Sequence, residues 1–428
     1  MASRYPVTII KASAGTGKIQ VLASAALSTI NERQLIVCNT NSAPEAVVAR
    51  LRKWCTEDEK VIRLKSTLAS IRYPDLHRCG EEYWYNNIIP ANIGSLGASD
   101  REIFKSYLEY KARFKDLVNC EKRDDLEHKF FDRLERVARK LDTCRKKLAR
   151  IIMDVLFCPI YVTTIDYAVL YLRQKFPTIG FRKIFFDEGS QVRLSDILVI
   201  LSLFPGTSFS VLGVSKQLPP YVDLEMNLTA EEKVLAKNSM CGLRNEMYTK
   251  RMTLNLNFRS HPEVVALVFK IFYGEKLEAF LEQNDLDIAI SGMYFILKRV
   301  IITPVFTIYP FYFLNIKCPS SKHLTGSIYN EGEAKMVASY CMRILKTCSR
   351  PKSIGIVSFY KAQINTLRKA VCAELEILEN KTYICNTRMI NEAEFKASNF
   401  CCTIDTVDAF QEEERDIILI VTSRSSVR

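Results

Sequence analysis

The stretch Val7–Gln20, VTIIKASAGTGKIQ, constrains the fold more than any other part of the chain. A short β-rich run leads into a turn in which Gly15 and Gly17 flank Thr16, and Lys18 opens a helix-compatible segment. A buried strand, a glycine turn and a helix N-terminus in this order are typical of a phosphate-binding loop. The glycines let backbone N–H groups surround phosphate oxygens, the helix dipole adds partial positive charge, and Lys18 adds a full charge.

The loop departs from the usual G-x-x-x-x-G-K-[ST] pattern at two positions. Ala12 stands at the first glycine, and Ile19 stands where a hydroxyl side chain would bind magnesium. Taken alone, the stretch leaves open a tight strand–helix turn that binds no nucleotide.

Composition places the chain among ordinary globular proteins, with 48% hydrophobic and 25% charged residues. Its 428 residues predict two domains rather than one core. Lys and Arg number 60 against 48 Asp and Glu, and the net charge of +12 favours a polyanionic partner, nucleic acid first. Many basic proteins bind no polyanion, so the charge supports this prediction without establishing it.

The 14 cysteines contain no C-x-x-C pair, and only four histidines are present. No usual zinc-ligand spacing occurs, so we expect no zinc, no disulfide framework, and a location in the cytoplasm or nucleus. The N-terminal MASRYPV lacks the apolar core of a signal peptide. The apolar run 300–316 contains Pro304 and Pro310, which predicts strands in a domain core rather than a membrane span, and no membrane partner.

Alternating strand and helix patterns run through most of the chain and predict parallel α/β sheets. The second strand, Leu35–Thr40, precedes a helix at Pro44–Trp54, and a polar linker, Asp223–Lys250, separates a second α/β region. The other predicted strands are 7–10, 159–164, 183–186, 209–212, 311–316, 353–358, 402–406 and 417–421.

Residues 101–150 interrupt this pattern with apolar residues at alternating four- and three-residue spacings. They predict two helices that pack as an antiparallel hairpin. The seam consists of Ile103, Tyr107, Tyr110, Phe114 and Leu117, then Phe130, Leu134, Val137, Leu141, Cys144, Leu148, Ile151 and Val155. This segment holds half of the chain's surplus positive charge. A solvated face on a structural arm is the simpler interpretation, and a basic side along a phosphate backbone is the functional one.

Two adjacent carboxylates follow the predicted strand 183–186 in the stretch FFDEGSQ. Ligands bind at the carboxyl ends of strands in open α/β sheets. Asp187 is therefore a candidate to bind magnesium, and Glu188 is a candidate to activate the water that attacks a γ-phosphate. Adjacent acids can also cap a helix, but the phosphate loop upstream favours the catalytic interpretation.

Arg259, in LNLNFRSHP, is a candidate to neutralise a phosphate during transfer, because its guanidinium is planar and always charged. The alternative is an arginine held in a salt bridge at the start of a helix.

In order and spacing, these blocks resemble the motifs of superfamily 1 helicases, in particular the nonsense-mediated-decay (Upf1-like) branch. AGTGK resembles motif I, DEGSQ motif II and GVSKQLPP motif III. The other matching blocks are CNTNSAPEAV, YVTTIDYA, LNFRSHPEV with FYGEKL, IVSFYKAQ and TVDAFQEEERD. The likeness covers almost the whole chain except residues 55–150 or so, and eight ordered blocks make coincidence implausible.

The resemblance implies two RecA-like P-loop NTPase domains in tandem, with parallel sheets, a nucleotide between them and a helical insertion in the first. Residues 1–55 and 151–245 would form the first, ATP-binding domain, and residues 56–150 a stalk-like insertion. Residues 246–428 would form the second RecA-like domain, which lacks its C-terminal part.

The resemblance also implies roles for single residues. The loop residues 15–18 would hold the phosphates of ATP, Asp187 would bind Mg²⁺, and Glu188 would activate water. Gln217 would sense the γ-phosphate, and Arg259 would act as an arginine finger from the second domain.

Two further positions would lie near the nucleotide: Phe258, against the adenine face, and Glu414. Other positions would contact the nucleic-acid backbone through hydroxyl or amide groups, which bond phosphate or sugar without reading a base. These positions are Thr40, Asn41, Thr163, Thr164 and Thr406.

The implied function is that of an ATP-dependent RNA or DNA helicase, an ATP hydrolase that moves on or remodels single-stranded nucleic acid. Its cofactors would be ATP and Mg²⁺, and its partner single-stranded nucleic acid, RNA rather than DNA. Protein partners in an RNA-processing complex are a further implication.

Several departures from the family pattern favour an alternative function. Besides Ala12 and Ile19, Val214 replaces an aspartate and Glu412 a glycine, and the final motif does not occur before Arg428. Losing one hydroxyl ligand costs about 1.5–3 kcal/mol, or roughly 10- to 100-fold in binding of magnesium-nucleotide. The alternative is a hydrolysis-deficient, ATP-gated nucleic-acid clamp or scaffold, and the sequence is either a fragment or a helicase-derived protein with impaired turnover.

Overall fold

The structure, a computed structural model, divides into two compact units. The first comprises residues 1–258 and 272–277, and the second comprises residues 259–271 and 278–428. The structure describes residues 6–55, 57, 60–66, 78–118, 127–214, 219–220, 228–240, 249–273, 277–280, 313–347, 352–377, 384–388, 392–397, 400–410 and 414–424. No helix in these ranges is long and apolar enough to cross a membrane.

The strands of the first unit are β1 (Val7–Ala12), β2 (Gln34–Cys38), β3 (Val61–Arg63), β4 (Ile160–Thr164), β5 (Lys183–Phe186), β6 (Ser208–Gly213) and β7 (Thr249–Leu254). They form one sheet in the order β3-β4-β2-β5-β6-β1-β7. Every pairing in this sheet is parallel. The carboxyl ends of its strands therefore lie at one edge, where ligands bind in open α/β sheets.

The helices of the first unit are α1 (Lys18–Leu27), α2 (Ala43–Trp54), α3 (Ala98–Val118), α4 (Glu127–Arg150), α5 (Leu194–Leu203) and α6 (Ala230–Lys237). Shorter helical segments lie at 81–91, 93–95, 151–155 and 165–175. α1 follows β1 and α2 follows β2, as predicted. This helix-flanked parallel sheet confirms the predicted α/β class with parallel strands.

Strand β2 explains why both faces of the sheet are covered. Its side chains alternate between two hydrophobic clusters, as the period of a strand requires. Leu35 and Val37 belong to the cluster that also contains residues from the first half of α3 and the second half of α4. Ile36 and Cys38 belong to the cluster formed with α1 and α2. A strand buried on both faces reads as a continuous apolar run, which made LIVC recognisable in the sequence.

The predicted antiparallel hairpin is formed by α3 and α4. Arg150, at the end of α4, forms an ion pair of 3.1 Å with Asp100, at the start of α3. Tyr107 and Leu148 of the predicted seam are buried in the core of the first unit. Val155, the last predicted seam residue, is exposed. The base of the arm is therefore part of the core of the first unit.

The first unit extends beyond residue 245, the predicted end of the first domain. β7 pairs with β1 over its whole length, and the short strand β8 (Leu256–Asn257) follows before the unit ends at Phe258. The predicted linker 223–250 also contains α6. β7 is the last strand of the sheet and is paired on one side, so it needs few apolar residues. The main segment of the first compact unit thus ends at Phe258, and the domain bounds at residues 245 and 246 remain a prediction.

The second unit contains α7 (Pro262–Val268), α8 (Glu331–Thr347) and α9 (Lys361–Ile377). Its strands are β9 (Glu278–Ala279), β10 (Ser321–Lys322), β11 (Ile328–Tyr329), β12 (Lys352–Ser358), β13 (Ile384–Arg388), β14 (Glu392–Ala397), β15 (Phe400–Thr406) and β16 (Ile417–Val421). β12 pairs in parallel with β15 and with β16, as predicted. β13 and β14 extend the same sheet in antiparallel pairings, which the sequence did not predict. Its core lies between the sheet and helices α8 and α9.

The predicted strand 311–316 is not observed. Residues 301–312 lie outside the described residues, and residues 313–316 form no strand. Phe313 is 96% exposed. An apolar run predicts burial only where another surface covers it, and sequence alone does not reveal that surface.

Candidate active site

The phosphate loop connects β1 to α1 and depends on two left-handed residues. Gly15 has φ 80° and Gly17 has φ 76°. This conformation is open to glycine and costly for residues with a Cβ atom. A Cβ atom on Gly17 would lie 4.0 Å from the Phe258 ring, so space is sufficient and the backbone conformation is the constraint. α1 begins directly after Gly17, and its first N–H groups face the loop.

Thr16 closes the loop from inside. Its hydroxyl donates a hydrogen bond of 2.7 Å to the Ser13 carbonyl, and its N–H donates one of 3.2 Å to the same oxygen. The side chain is buried. The structure therefore gives the Thr16 side chain a role in shaping the turn.

Two residues beyond β7 hold the loop from outside. The Asn257 amide donates a hydrogen bond of 2.8 Å to the Ala14 carbonyl, and the Phe258 N–H donates one of 2.8 Å to the Gly15 carbonyl. The C=O and N–H of a trans peptide point in opposite directions. The Gly15 N–H is therefore directed away from Asn257. Asn257 was not among the predicted site residues, and its one sequence clue is its position next to Phe258.

The paired carboxylates lie at the end of β5. The Asp187 N–H donates 2.8 Å to the Val37 carbonyl, and the next turn places Glu188 at φ 52°. Both side chains are buried, at 0% and 1% exposure. Lys18 Nζ lies 3.5 Å from Asp187 Oδ1 and also forms an ion pair with Glu188. The structure thus brings together the loop and the DEGSQ stretch, although about 170 residues separate them in the chain.

The orientation of Glu188 is set by a short chain of amide side chains. Gln191 Nε2 lies 3.4 Å from Glu188 Oε2, and Asn39 Nδ2 lies 3.1 Å from Gln191 Oε1. Asn39 follows β2, the neighbour of β5. Neither amide was among the predicted site residues. The spacing of Gln191, three residues after Glu188, was the available clue.

The charged residues at the end of β5 and in the phosphate loop meet part of what binding of a magnesium-nucleotide requires. Two buried carboxylates face one ammonium, Lys18, and carboxylate oxygens are the ligands that Mg²⁺ prefers. Ile19, at the usual hydroxyl position, packs half-buried against the core cluster of α1 and α2. This position therefore contributes apolar packing and no magnesium ligand.

The remaining predicted nucleotide residues are distributed over both units. Phe258 belongs to the first unit, where its ring is half exposed beside the loop. Arg259 and Glu414 form an ion pair within the second unit, the alternative that the sequence left open for this arginine. Gln217 lies outside the described residues.

The predicted nucleic-acid hydroxyls mostly accept hydrogen bonds from the backbone in this structure. Thr40 Oγ1 accepts from the Ala43 N–H at 3.2 Å, Thr164 Oγ1 from the Tyr167 N–H at 3.4 Å, and Thr406 Oγ1 from the Ala409 N–H at 3.4 Å. Such caps leave the hydroxyl hydrogens of Thr164 and Thr406 available to a ligand. The Thr40 hydroxyl also lies 3.2 Å from the Ser42 hydroxyl, and either group can be the donor. Asn41 is exposed.

Thr163 differs from these positions. It is fully buried, and its hydroxyl donates 3.2 Å to the Leu64 carbonyl. Thr163 therefore stabilises the interior of the first unit. Its side chain lies on a covered face of β4, whereas the next residue, Thr164, is partly exposed.

Comparison with known proteins identifies relatives of the chain. Residues 236–428 match the family model described as an AAA domain, which is typical of Upf1-like superfamily 1 helicases. The putative helicase MOV-10 of Gallus gallus is 23% identical over 292 residues, which cover 62% of this chain and 28% of that protein. The DNA replication ATP-dependent helicase/nuclease dna2 of Schizosaccharomyces pombe is 26% identical over 256 residues, covering 56% and 16%.

An uncharacterised ATP-dependent helicase of Caenorhabditis elegans is 24% identical over 244 residues, which cover 56% of this chain and 14% of that protein. The chain thus spans less than a third of the length of these relatives. Among solved structures, the arterivirus nonstructural protein 10 helicase with DNA has a TM-score of 0.32 at 12% identity, over 64% of this chain and 42% of that chain. The fold assignment rests on the sheet and the loop. The resemblance inferred from the motifs is confirmed as a similarity in sequence: the chain is similar to proteins named as helicases, and its residues 236–428 match the AAA domain model.

Proposed function

We propose that the chain binds ATP with Mg²⁺ and couples ATP binding and hydrolysis to movement on, or remodelling of, single-stranded nucleic acid. One observation carries this proposal. Lys18 of the phosphate loop forms ion pairs with both Asp187 and Glu188 at the carboxyl edge of the first sheet. A triphosphate held by the loop would therefore meet both carboxylates. The relatives named as ATP-dependent helicases support the same reaction.

In this proposal the three charged side chains have distinct roles. Lys18 contacts the outer phosphates, and Asp187 holds the metal ion. A bound Mg²⁺ supplies positive charge to the phosphate oxygens. Glu188 accepts the proton of the attacking water, and Gln191 keeps its carboxylate in place.

The second unit takes the role of the second RecA-like domain in the proposal. Arg259 contacts the transferring phosphate, and Glu414 orients its guanidinium through their ion pair. Gln217 senses the γ-phosphate, and the Phe258 ring stacks on adenine. The chain acts in the cytoplasm or nucleus on RNA rather than DNA, together with protein partners of RNA processing.

A nucleic-acid-stimulated ATPase assay tests the proposal. We expect single-stranded RNA to raise the ATPase rate of the purified chain, and Glu188→Gln to remove this activity while nucleotide binding persists. The rate should fall by at least about 100-fold, in the range lost with a catalytic proton acceptor. Glu231→Gln, on the exposed surface of α6, is the matched control and should keep the wild-type rate. Equal rates in the wild type and Glu188→Gln would contradict the proposal.

A second candidate, the hydrolysis-deficient ATP-gated clamp, is favoured by one observation. Ile19 packs a half-buried apolar side chain against the core at the position of the missing magnesium ligand. The clamp predicts that ATP changes nucleic-acid affinity while no phosphate is released. Measuring affinity and phosphate release on the same sample separates the two candidates.

A further inference from the structure

Helix α4 carries four cations on one side that the proposed ATP site does not use. We call Arg133, Arg136, Lys140 and Lys147 the α4 stripe. All four side chains are exposed. At 3.6 residues per turn they lie within about 60° of one another around the helix axis. They span about 21 Å along the axis at 1.5 Å per residue.

Four further cations of α4 whose side chains the structure describes have carboxylate partners. Arg139 pairs with Glu135 at 2.6 Å, Lys146 with Asp142 at 2.9 Å, Arg145 with Glu82 at 2.9 Å, and Arg150 with Asp100 at 3.1 Å. Among the described residues, none of the four stripe residues forms an ion pair. α4 therefore has one set of cations that carboxylates neutralise and a second set, the α4 stripe, whose positive charge is exposed at the surface.

The stripe lies away from the side of α4 on which Arg145 contacts the body of the first unit. Arg145 connects α4 to Glu82 near the body of the first unit, where Lys111 of α3 also binds Glu82 at 2.7 Å. Lys140 lies about 140° from Arg145 around the helix axis. Its ammonium is instead 5.4 Å from the centre of the Tyr110 ring on α3. The attachment therefore leaves the stripe open to a partner.

We propose that the α4 stripe binds the phosphate backbone of a nucleic acid and holds it along the arm. A straight row of four cations about 21 Å long covers the axial rise of about six base pairs, at 3.4 Å each, so it is long enough to reach several phosphates of one nucleic acid. Contacts of this kind carry no sequence information and depend steeply on salt. The inference rests on the proposed function only for the identity of the partner as a nucleic acid.

A pair of double variants on the same helix tests the inference. Arg136→Gln with Lys140→Gln removes two stripe cations, and Arg139→Gln with Lys146→Gln removes two paired cations. Each variant loses one Arg and one Lys from exposed positions of α4, and glutamine keeps nearly the same helix propensity. Binding of fluorescent single-stranded and duplex oligonucleotides to the full chain is measured by anisotropy between about 50 and 200 mM salt.

We expect the stripe variant to bind about 10-fold or more weakly at low salt, with the slope of log K against log salt reduced by about 1.4–1.8. The paired-cation variant should keep a slope close to that of the wild type. The probe with the larger slope change, single strand or duplex, identifies the form that lies on the arm. If the stripe variant fails to fold, Lys147→Gln alone should reduce the slope by about 0.7–0.9.

Equal effects of the two double variants, or no effect of either, would overturn the inference and leave an acidic protein surface as the next candidate. ATPase activity without nucleic acid is measured in parallel and reports on the proposed function separately. If the chain hydrolyses ATP but the stripe variant binds nucleic acid as tightly as the wild type, only the inference is contradicted. A chain that binds through the stripe but hydrolyses no ATP would contradict only the helicase reaction.

Discussion

At the residue scale, the site is organised by the charge of Lys18. Asp187 and Glu188 are both buried, and two buried carboxylates side by side are stable only with a nearby cation. Removing one partner from a buried ion pair costs about 3–5 kcal/mol, because the remaining charge is uncompensated. A Lys18 substitution would therefore affect stability as well as binding. Glu188→Gln leaves Lys18 beside Asp187, which makes it the cleaner test of hydrolysis.

Ile19→Thr should restore a hydroxyl at the magnesium position of the loop. We expect affinity for ATP in the presence of Mg²⁺ to rise about 10-fold or more, while the free energy of unfolding falls by about 1 kcal/mol. The loss of stability follows from removing apolar contacts that Ile19 makes with the core. Titration calorimetry with and without Mg²⁺, together with urea unfolding, measures both changes.

Ile19→Val is the matched control for this prediction, since valine has the shape of threonine without its hydroxyl. It should lose a similar amount of stability and gain no affinity. If the threonine and valine variants bind Mg-ATP equally, Ile19 is not the cause of weak metal binding.

At the element scale, the second unit depends on the close approach of β12 to the turn that follows β15. Gly355 lies on β12, and a Cβ atom there would clash with the Phe410 ring and lie 2.9 Å from Ile418 Cδ1 on β16. Phe410 is buried, and Arg415 lies 5.5 Å from its ring centre. This contact holds the segment that carries Thr406 and leads to Glu414.

Gly355→Ala should lower the free energy of unfolding of the second unit by about 1–3 kcal/mol, because the extra methyl overpacks a buried contact. Gly180→Ala is the control, since nothing lies within 4 Å of its added Cβ atom. The control should change stability by no more than about 1 kcal/mol. Urea unfolding followed by fluorescence measures both, and adding Phe410→Leu to Gly355→Ala should recover part of the loss. A neutral Gly355→Ala would show that Phe410 can move aside.

At the scale of the whole molecule, the described residues form two compact units with separate hydrophobic clusters, two in the first unit and one in the second. Leu35 belongs to a cluster of the first unit and Leu367 to that of the second, and both are fully buried. Separate cores predict that a cavity in one lowers the stability of that unit first.

Leu35→Ala and Leu367→Ala test this organisation as a matched pair. Each should cost about 2–5 kcal/mol, the usual loss for a buried leucine. We expect Leu35→Ala to reduce hydrogen-exchange protection in the peptides of β1–β6, and Leu367→Ala in the peptides of α8, β12 and α9. The same loss of protection across both units in either variant would mean that the two units unfold as one.

The sequence by itself determined those features that are formed by one continuous stretch of residues. The strand–glycine–lysine–helix order of the loop, the strand that ends in Asp187 and the seam of the arm each occupy one stretch of sequence, because local backbone preference and apolar period define them. The resemblance to helicases followed from the same stretches, because it depends on their order.

The tertiary structure decided the features that depend on distant partners. β7 joins the first sheet although its sequence is mostly polar, Asn257 reaches the loop at Ala14, and Gln191 contacts both Asn39 and Glu188. Thr163 is buried while its neighbour Thr164 caps a helix, because their side chains lie on opposite faces of β4 and different elements pack on each face. The physical reason is that burial and hydrogen-bond partners belong to the surface that packs against a residue, and that surface comes from elsewhere in the chain.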